Sequence, residues 1–348
     1  MIKLKKFSSV DLIGFGAYLP YWRIKLSEIA HCWDQEGELI KESLGVEQKA
    51  VADSDEDSLT MAVEASLIAI RRAGIDFQKI GAVFVGSESH PYAVKPTGTI
   101  LGEILGLSRE YFCTDLEFAC KAGTAGMQIV AAMIEAGMID YGLVVGVDKA
   151  QSRPGDALEY TAAAGAAAFV LGKKRQNFSC QLVSTFSFSS DTPDFWRRQE
   201  SRYPSHSGRF TGDPGYFYHL ESCLDQFLQK NGKKPADFDF VIFHMPNSKF
   251  PSKVAQKFGF SKDQLSPGFL VPQIGNPYAG SSLLGLVAVL EQVHKKSEVL
   301  LVSYGSGAGS DAFWFKTTRP VGNQIKKDKR IKEYLNNWQE INYLDYLK

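Results

Sequence analysis

The sequence has no excess charge of either sign, because 39 lysines and arginines balance 39 aspartates and glutamates among its 348 residues. A neutral chain has no broad basic surface, so we expect it to bind neither nucleic acid nor a membrane through charge. A local basic patch could still hold a phosphorylated ligand. Long apolar runs are also missing, since the longest run of low polarity, residues 162–172, is too short to span a bilayer.

Cysteine is scarce as well, and its spacing excludes several classes of protein. The five cysteines are scattered and none forms a CxxC pair: Cys32, Cys113, Cys120, Cys180 and Cys223. This pattern indicates neither a zinc ribbon nor a disulfide framework, so we expect no metal and a reducing, cytoplasmic environment. The lysine-rich N-terminus leads into a short strand, residues 10–15, which is not typical of a signal peptide.

Buried strands and amphipathic helices alternate along the chain, which predicts an α/β fold with largely parallel sheets. Strands are predicted at residues 10–15, 80–85, 141–147, 167–171, 238–243 and 298–303. Asp57 is a plausible N-cap for a helix that runs to Ala73 and ends at Gly74. No linker rich in proline, serine or charge separates two halves, so any two lobes should be tightly joined.

Two segments fall outside this alternation. Residues 185–213 are polar and aromatic without a clear period, which is typical of a long binding loop. The tail, residues 320–348, begins with many lysines and then carries aromatic side chains. Those aromatic residues favour packing against the body of the protein or against a partner.

The two halves of the chain repeat one order of elements. In each half a buried strand ends near a polar residue, a turn with a second polar residue opens a helix, and another strand follows. His244 follows Glu88 by 156 positions, and Asn276 follows Cys120 by the same 156 positions. Equal spacing can arise by coincidence, but it favours a duplicated α/β unit whose corresponding loops meet at the carboxyl ends of the strands. We therefore expect these four residues to converge.

Cys120 lies within residues 116–126, where a predicted turn ends and a run of small apolar residues begins. Residues 128–138 are predicted to be helical, which puts Cys120 at or near a helix start. Unpaired backbone N–H groups at such a position favour a thiolate, so Cys120 is a candidate nucleophile. The simpler alternative is a buried structural cysteine, the commoner case for a lone cysteine in an apolar run.

The other three residues have matching chemistry, and each also has a simpler explanation. In a dry pocket Glu88 can remove a proton from the carbon beside an acyl carbonyl, whereas most glutamates are exposed loop residues. His244 can move a proton or polarise a carbonyl oxygen, or it can be a histidine satisfied within the core. Asn276 can donate an amide N–H to an oxyanion, or it can be a turn residue before Pro277.

Seven stretches, together with the element order from about residue 10 to residue 315, resemble hydroxymethylglutaryl-CoA synthases of the archaeal type, within the thiolase superfamily. They are residues 86–97, 115–126, 154–161, 191–198, 208–212, 274–276 and 304–311. The resemblance implies the five-layered αβαβα thiolase fold built from two duplicated halves. It puts Cys120 and Glu88 in an N-terminal half, residues 1–172, and His244 and Asn276 in a C-terminal half, residues 173–319, followed by an extension, residues 320–348.

The resemblance also implies condensation of acetyl-CoA with acetoacetyl-CoA and water to 3-hydroxy-3-methylglutaryl-CoA and CoA, a step of isoprenoid precursor supply through mevalonate. No cofactor beyond the CoA thioester substrates is implied. Cys120 would carry the acetyl group, Glu88 would deprotonate its methyl group, and His244 would transfer a proton at the ketone oxygen.

Further positions match family residues that contact the acyl chain or CoA: Thr161, Arg209, Thr211, Lys249, Asn276 and Ser306. Lys253 stands where the family pattern has arginine. Family members are usually homodimers, and archaeal ones work with an acetoacetyl-CoA thiolase and a small zinc-ribbon/OB-fold protein. The resemblance implies these partners for the present chain.

Some positions depart from the family pattern, and other functions stay open. Met245, Ser248, Pro277 and Ala279 replace residues of the pattern, which bears on CoA contacts and substrate detail more than on reaction class.

A ketoacyl-carrier-protein synthase III-like enzyme also uses Cys, His and Asn, but its decarboxylative condensation needs no carboxylate at Glu88. A carrier-protein-dependent β-branching synthase is a variant, and a non-catalytic homologue has no need of all four residues.

Overall fold

The computed structural model describes residues 4–173, 180–307, 309–318 and 328–348 of the chain. Residues 319–327, which contain the predicted start of the C-terminal extension, lie outside the described residues. Elsewhere strands and helices alternate as predicted.

The first half of the described chain runs to Lys173. Its strands are β1 Lys5–Lys6, β2 Val10–Tyr18, β3 Trp22–Lys25, β4 Gln48–Val51, β5 Ile80–Gly86, β6 Phe112–Leu116, β7 Tyr141–Lys149 and β8 Ala164–Lys173. Its α-helices are α1 Leu26–Cys32, α2 Gly37–Leu44, α3 Ser58–Ala73, α4 Thr97–Ile104 and α5 Ala122–Glu135.

The second half and the tail follow. Their strands are β9 Cys180–Ser189, β10 Phe195–Trp196, β11 Ser205–His206, β12 Phe240–Phe243, β13 Glu298–Gly305, β14 Gly309–Thr317 and β15 Gln339–Glu340. Their α-helices are α6 Gly208–Phe210, α7 Phe217–Asn231, α8 Lys249–Phe258, α9 Lys262–Leu265, α10 Val271–Ile274, α11 Ser281–Gln292, α12 Ile331–Asn336 and α13 Tyr343–Tyr346. Short 3-10 turns and one π-helical turn connect them: Phe77–Lys79, Ala157–Tyr160, Thr211–Tyr216, Pro235–Asp237, Ser266–Gly268 and Tyr278–Gly280.

Helix α3 shows how local sequence fixes the limits of an element. The Asp57 carboxylate accepts from the Thr60 backbone N–H at 2.8 Å, and the Thr60 hydroxyl accepts from the Asp57 N–H. This reciprocal cap starts the helix, and Gly74 ends it because its φ of +60° suits glycine. The predicted limits of α3 are confirmed, and its buried face packs on β2 and β8.

The sheet repeats one strand order in both halves. The first half runs β6-β5-β7-β8-β2, and the second runs β12-β13-β14-β9 with no counterpart of β6 among the described residues. The pair Asp11 and Gln181 joins β2 to β9, so the strands form one continuous sheet. The prediction of largely parallel sheets is wrong. Among the described strands of the main sheet, only the pairs β5/β6, β5/β7 and β12/β13 are parallel, because β8 and β14 run back antiparallel beside β7 and β13.

Five layers result from the way helices cover the two halves of the sheet. Helix α5 packs on β5 and β7, and α11 packs on β8 and β12, so these two helices form the central layer. Nearly every residue of α11 is buried, as expected for a helix covered on both sides. Helices α3 and α4 cover the outer face of the first half, and α7 covers the outer face of the second. The αβαβα architecture is therefore confirmed.

The polar segment at residues 185–213 and the tail differ from their predictions in detail. Strand β9 continues to Ser189, so the prediction of a loop is wrong for the first five residues of that segment. The rest contains the hairpin β10/β11. The tail packs on the body of the protein: β15 pairs in parallel with β3, and Tyr334 and Tyr343 are buried. Buried aromatic area holds the tail in place.

Candidate active site

Cys120 lies in a tight turn between β6 and α5. Ala119 has a φ of +44°, and α5 begins two residues after Cys120, at Ala122. A side chain at Gly86 would lie 2.3 Å from the backbone nitrogen of Gly123, so glycine lets the end of β5 approach the start of this helix. The predicted helix start at Cys120 is confirmed, and α5 begins earlier than the predicted residue 128.

The thiol of Cys120 meets the carboxyl group of Glu88. Cys120 Sγ donates a hydrogen bond to Glu88 Oε1 at 3.2 Å, although the two residues are far apart in sequence. Burial and the nearby carboxyl groups of Glu88 and Asp148 raise the pKa of the thiol well above its ordinary value. The expectation that the helix start favours a thiolate is therefore wrong for the resting site.

Glu88 has the electrostatic character expected of a base in a dry pocket. Its carboxyl group faces inward, and burial together with the charge of Asp148 raises its pKa to about 8. The Cys120 hydrogen bond and Arg197 act in the opposite direction and favour the carboxylate. A carboxyl group with a pKa close to physiological pH can both accept and return a proton. The alternative of an exposed loop glutamate is wrong.

Asp148 fixes the loop that carries Glu88, and sequence reasoning missed it. Its Oδ1 accepts hydrogen bonds from the Ser87 hydroxyl at 2.8 Å, the Glu88 N–H at 2.7 Å and the Ser89 hydroxyl at 2.7 Å. Its Oδ2 accepts from the Ala279 N–H at 2.8 Å. Asp148 therefore joins the Glu88 loop of the first half to the turn after Asn276 in the second half.

The internal repeat contains a signal from which Asp148 could have been predicted as a site residue. Tyr304 follows Asp148 by 156 positions, the same spacing that relates the other pairs. Both residues are buried near the end of a central strand, β7 or β13. A polar side chain at the carboxyl end of each repeated strand is thus part of the duplicated pattern.

His244 follows β12 and is buried, with no hydrogen-bond partner for Nδ1 among the described residues. Burial lowers the pKa of its imidazole to about 3, so the ring is neutral at physiological pH. The Tyr216 hydroxyl donates to its backbone carbonyl at 2.8 Å. Its ring lies 6.1 Å from the ring of Tyr304, whose pKa is raised by burial, Asp194 and Cys120. Tyr304 therefore connects His244 with the Cys120 pocket.

Asn276 is buried and tied to the first half by backbone hydrogen bonds. Its N–H donates to the Thr161 carbonyl at 2.7 Å, and its own carbonyl accepts from the Ala163 N–H at 3.0 Å. Its Oδ1 accepts from the Tyr278 N–H at 3.1 Å. The structure thus brings Asn276 and Thr161 side by side, as predicted for residues of one pocket.

Apolar side chains surround the sulfur of Cys120. The buried residues Ala162 and Tyr278 cluster with Cys120, and Ala150 and Phe195 pack against them. The rings of Phe195 and Tyr278 meet edge to face at 6.0 Å. The immediate surroundings of the thiol are therefore apolar, apart from Glu88.

The remaining predicted site residues lie farther out. Arg209 on α6 and the α8 residues Lys249 and Lys253 are exposed, while Thr211 is half-buried. Ser306 is half-buried and lines a cavity of about 420 Å³ together with residues of the segment before β10. The three predicted cationic residues are therefore at the surface, unlike Cys120, His244 and Asn276.

No cluster of three or more His, Cys, Asp or Glu side chains is arranged to hold a metal ion in the described part of the chain. None of the described helices is long and apolar enough to cross a membrane.

Replacing Asp148 by asparagine is expected to slow proton transfer by Glu88 about tenfold or more, because the Glu88 loop loses its charged acceptor and small displacements of a base cost large rate factors. The midpoint of the pH–rate profile should also move to lower pH, since Asp148 raises the pKa of Glu88. Rates measured across pH for Asp148→Asn check this. Asp140→Asn, on an exposed residue beside β7, is the matched control, and an unshifted profile would contradict the positioning role.

Comparison with known proteins defines the class and then the family. Family models described as 3-oxoacyl-[acyl-carrier-protein] synthase III match residues 114–191, and the C-terminal model of that family matches residues 228–316. A relative from Archaeoglobus fulgidus named hydroxymethylglutaryl-CoA synthase is 53% identical over 339 residues, which cover 97% of this chain and 98% of the relative.

Two solved structures share the fold. An HMG-CoA synthase complexed with CoA matches with a TM-score of 0.87 at 22% identity. The matched part covers 98% of this chain and 90% of the chain of that structure. A 3-oxoacyl-(acyl carrier protein) synthase III from Pseudomonas aeruginosa PAO1 matches with a TM-score of 0.79 at 20% identity. The matched part covers 90% of this chain and 99% of the chain of that structure. The doubled fold with a cysteine at a helix start defines an acyltransferase of the thiolase class. Within that class, the chain belongs to the hydroxymethylglutaryl-CoA synthase family.

Proposed function

We propose that this enzyme condenses acetyl-CoA with acetoacetyl-CoA and water to give 3-hydroxy-3-methylglutaryl-CoA and CoA. The observation that carries the proposal is the 3.2 Å contact between Cys120 Sγ and Glu88 Oε1 in a buried apolar pocket. It joins a nucleophile that can hold an acetyl group to a carboxyl group able to deprotonate the adjacent methyl. The relative named above supports the same assignment.

The first half-reaction uses the hydrogen bond between Cys120 and Glu88. As sulfur attacks the thioester of acetyl-CoA, the thiol proton passes to Glu88 and the bond between the acetyl carbon and CoA sulfur breaks. Glu88 then returns the proton to the departing CoA thiolate. Acetyl-Cys120 and a Glu88 carboxylate remain, and the raised pKa of Glu88 suits both transfers.

The second half-reaction forms the carbon–carbon bond. Glu88 removes a methyl proton from acetyl-Cys120, and the resulting carbanion attacks the ketone carbon of acetoacetyl-CoA. The proton that Glu88 took from the methyl group is the one that the new alkoxide needs, and the neutral ring of His244 relays it by giving one N–H proton to the alkoxide while its other nitrogen accepts a proton. Asn276 offers its amide to the thioester oxygen. Water finally hydrolyses the bond to Cys120 and releases the product.

Exposed cations support binding of CoA phosphates. The segment that follows Arg209 lies close to α8, because a side chain at Gly212 would lie 3.3 Å from the ring of Phe250. Lys249 and Lys253 on α8 add two ammonium groups near that segment. Thr161, Thr211, Asn276 and Ser306 are proposed to contact the acyl chain and the arm of CoA. No cofactor beyond these thioesters is proposed.

A condensing enzyme that uses carrier-protein substrates is the second candidate. The matches to 3-oxoacyl-[acyl-carrier-protein] synthase III models favour it. Within this candidate, a synthase III-like enzyme condenses by decarboxylation and needs no base at the position of Glu88, so the Glu88–Cys120 contact disfavours it. A carrier-protein-dependent β-branching synthase is distinguished by its acyl donor instead.

The decisive experiment incubates the purified enzyme with acetyl-CoA and acetoacetyl-CoA while following free thiol release and product mass. Formation of 3-hydroxy-3-methylglutaryl-CoA supports the proposal. Reaction with an acetylated carrier protein but not with acetyl-CoA would support the second candidate.

We also propose that the enzyme is a homodimer joined through β6. This strand is the edge of the sheet, and Phe112 on it is 55% exposed. Ile129 on the neighbouring α5 is 38% exposed. A second copy can cover both side chains and pair with the free side of β6.

The double variant Phe112→Glu/Ile129→Glu is expected to be monomeric, because two buried carboxylates without partners would oppose the interface. Light scattering after size-exclusion chromatography measures the mass. Leu39→Glu, on an exposed leucine of α2, is the matched control. A dimeric double variant would contradict this interface.

The cellular setting is proposed by family likeness and cysteine chemistry. The cysteines are free in the described residues, which supports a reducing cytoplasm and a role in the mevalonate route. A complex with an acetoacetyl-CoA thiolase and a small zinc-ribbon/OB-fold protein would supply acetoacetyl-CoA directly. Co-purification with those two proteins tests it.

A further inference from the structure

A buried ion pair lies directly beside the nucleophile and has no part in the steps above. Lys121 follows Cys120 in sequence, and its Nζ lies 3.0 Å from Asp311 Oδ2, with both side chains almost completely buried. The ammonium group also lies 3.8 Å from the centre of the Phe118 ring. Burying two charges is costly unless hydrogen bonds complete their coordination.

Hydrogen bonds complete the coordination of Asp311. The Thr124 hydroxyl lies 2.9 Å from Oδ2, and the Ser187 hydroxyl donates to Oδ1 at 2.7 Å. Ser187 in turn accepts from Gln128 at 2.9 Å, and Thr124 lies 2.7 Å from the Ser303 hydroxyl. Removing either charge would therefore disturb several buried groups.

The network joins the two halves of the molecule. Lys121, Thr124 and Gln128 are spaced along one face of α5 in the first half. Asp311 lies on β14 of the second half, as Ser187 does on β9. Cys120 must be held against His244 and Asn276, which the second half supplies.

Close packing at the same point leaves little freedom for the turn. A side chain at Gly305, the last residue of β13, would lie 2.7 Å from the Phe118 carbonyl and 2.8 Å from the Lys121 side chain. The turn that carries Cys120 thus packs closely on β13 of the second half, and the ion pair between Lys121 and Asp311 links it to β14.

We propose that Lys121 and Asp311 are positioning residues that fix the Cys120 turn against the second half, so that the thiol stays aligned with its acyl donor. The proposal rests on the proposed role of Cys120 as acyl acceptor. It predicts that loss of the pair frees the thiol while slowing its productive reaction.

The test compares Lys121→Met with the wild-type enzyme in two reactions of Cys120. Acetylation by acetyl-CoA should slow about tenfold or more, because a displacement of about 1 Å can cost about 100-fold. Alkylation of Cys120 by iodoacetamide should become about fivefold faster, as the turn opens. The buried Cys180, at the opposite end of β9 from Ser187, reports on the whole fold and should stay unreactive in both proteins. Peptide mass spectrometry follows both cysteines.

Two further variants separate positioning from stability. Lys121→Arg keeps the charge pair and should acetylate within about threefold of wild type. The double variant Lys121→Met/Asp311→Asn leaves no lone charge, so its thermal stability should recover while acetylation stays slow. Lys173→Met, which breaks an exposed ion pair, is the matched control.

Three results would overturn the proposal: wild-type acetylation in Lys121→Met, wild-type acetylation in the double variant, or alkylation of Cys180 in step with Cys120. The alkylation assay needs no CoA substrate. A wild-type enzyme that fails to acetylate at all would instead reject the proposed function.

Discussion

Replacing Cys120 by alanine is expected to abolish the acetyl-enzyme and to lower product formation at least about 10⁴-fold, because no other group can hold the acetyl carbon. The thiol is buried among apolar side chains, and no second cysteine belongs to that cluster in the described part of the chain. The intact mass of the protein after incubation with acetyl-CoA checks this. Wild type should gain one acetyl group, and Cys120→Ala should gain none.

Cys32→Ala is the matched control for this prediction, because Cys32 is an exposed cysteine outside the pocket. It should acetylate and condense like wild type. An acetyl group found on the Cys120→Ala protein would remove Cys120 from the role of nucleophile. An acetyl group found on a cysteine other than Cys120 in the wild-type enzyme would also show that Cys120 is not the nucleophile.

Replacing Glu88 by glutamine is expected to leave acetylation measurable and to slow condensation about 10³-fold or more, since the amide cannot take a proton from the acetyl methyl. Glutamine keeps an oxygen that can accept the Cys120 hydrogen bond. Exchange of methyl protons for deuterium in acetyl-Cys120 isolates the step: wild type should exchange in D₂O, and Glu88→Gln should not.

The pH dependence of that exchange has a definite sign. Burial and Asp148 raise the pKa of Glu88 to about 8, so the carboxylate fraction increases as pH rises through that value. Exchange in wild type should therefore accelerate between about pH 7 and 9 and then level off. Glu117→Gln, on an exposed residue of the turn, is the control. Exchange at the wild-type rate in Glu88→Gln would show that another group is the base.

The sequence predicted the pairing of Cys120 and Glu88 through the internal repeat. Equal spacings survive folding because corresponding loops of a duplicated α/β unit occur at the same sheet edge. The limits of α3 were also predictable, since Asp57, Thr60 and Gly74 act within a few residues of one another. Local signals of this kind need no knowledge of tertiary structure.

Other features depend on contacts that no local pattern contains. The donors to Asp148 come from the Glu88 loop and from the turn at Ala279, on different halves of the chain. The raised pKa of the Cys120 thiol follows from burial and from carboxyl groups supplied by other loops, which outweigh the helix start. Lys121 gave no signal in the sequence because its partner Asp311 lies on β14.

The unequal ends of the sheet limit how large an assembly can become. Strand β6 leaves one rim open, whereas the opposite rim at β12 is short and α9 packs against it, with Gln264 donating to the Phe238 carbonyl at 2.7 Å. In the proposed dimer, two copies that meet at β6 would each use the open edge of the main sheet. Among the described residues that sheet would then have no open edge left for a third copy, so its strands would not extend the assembly into a fibre.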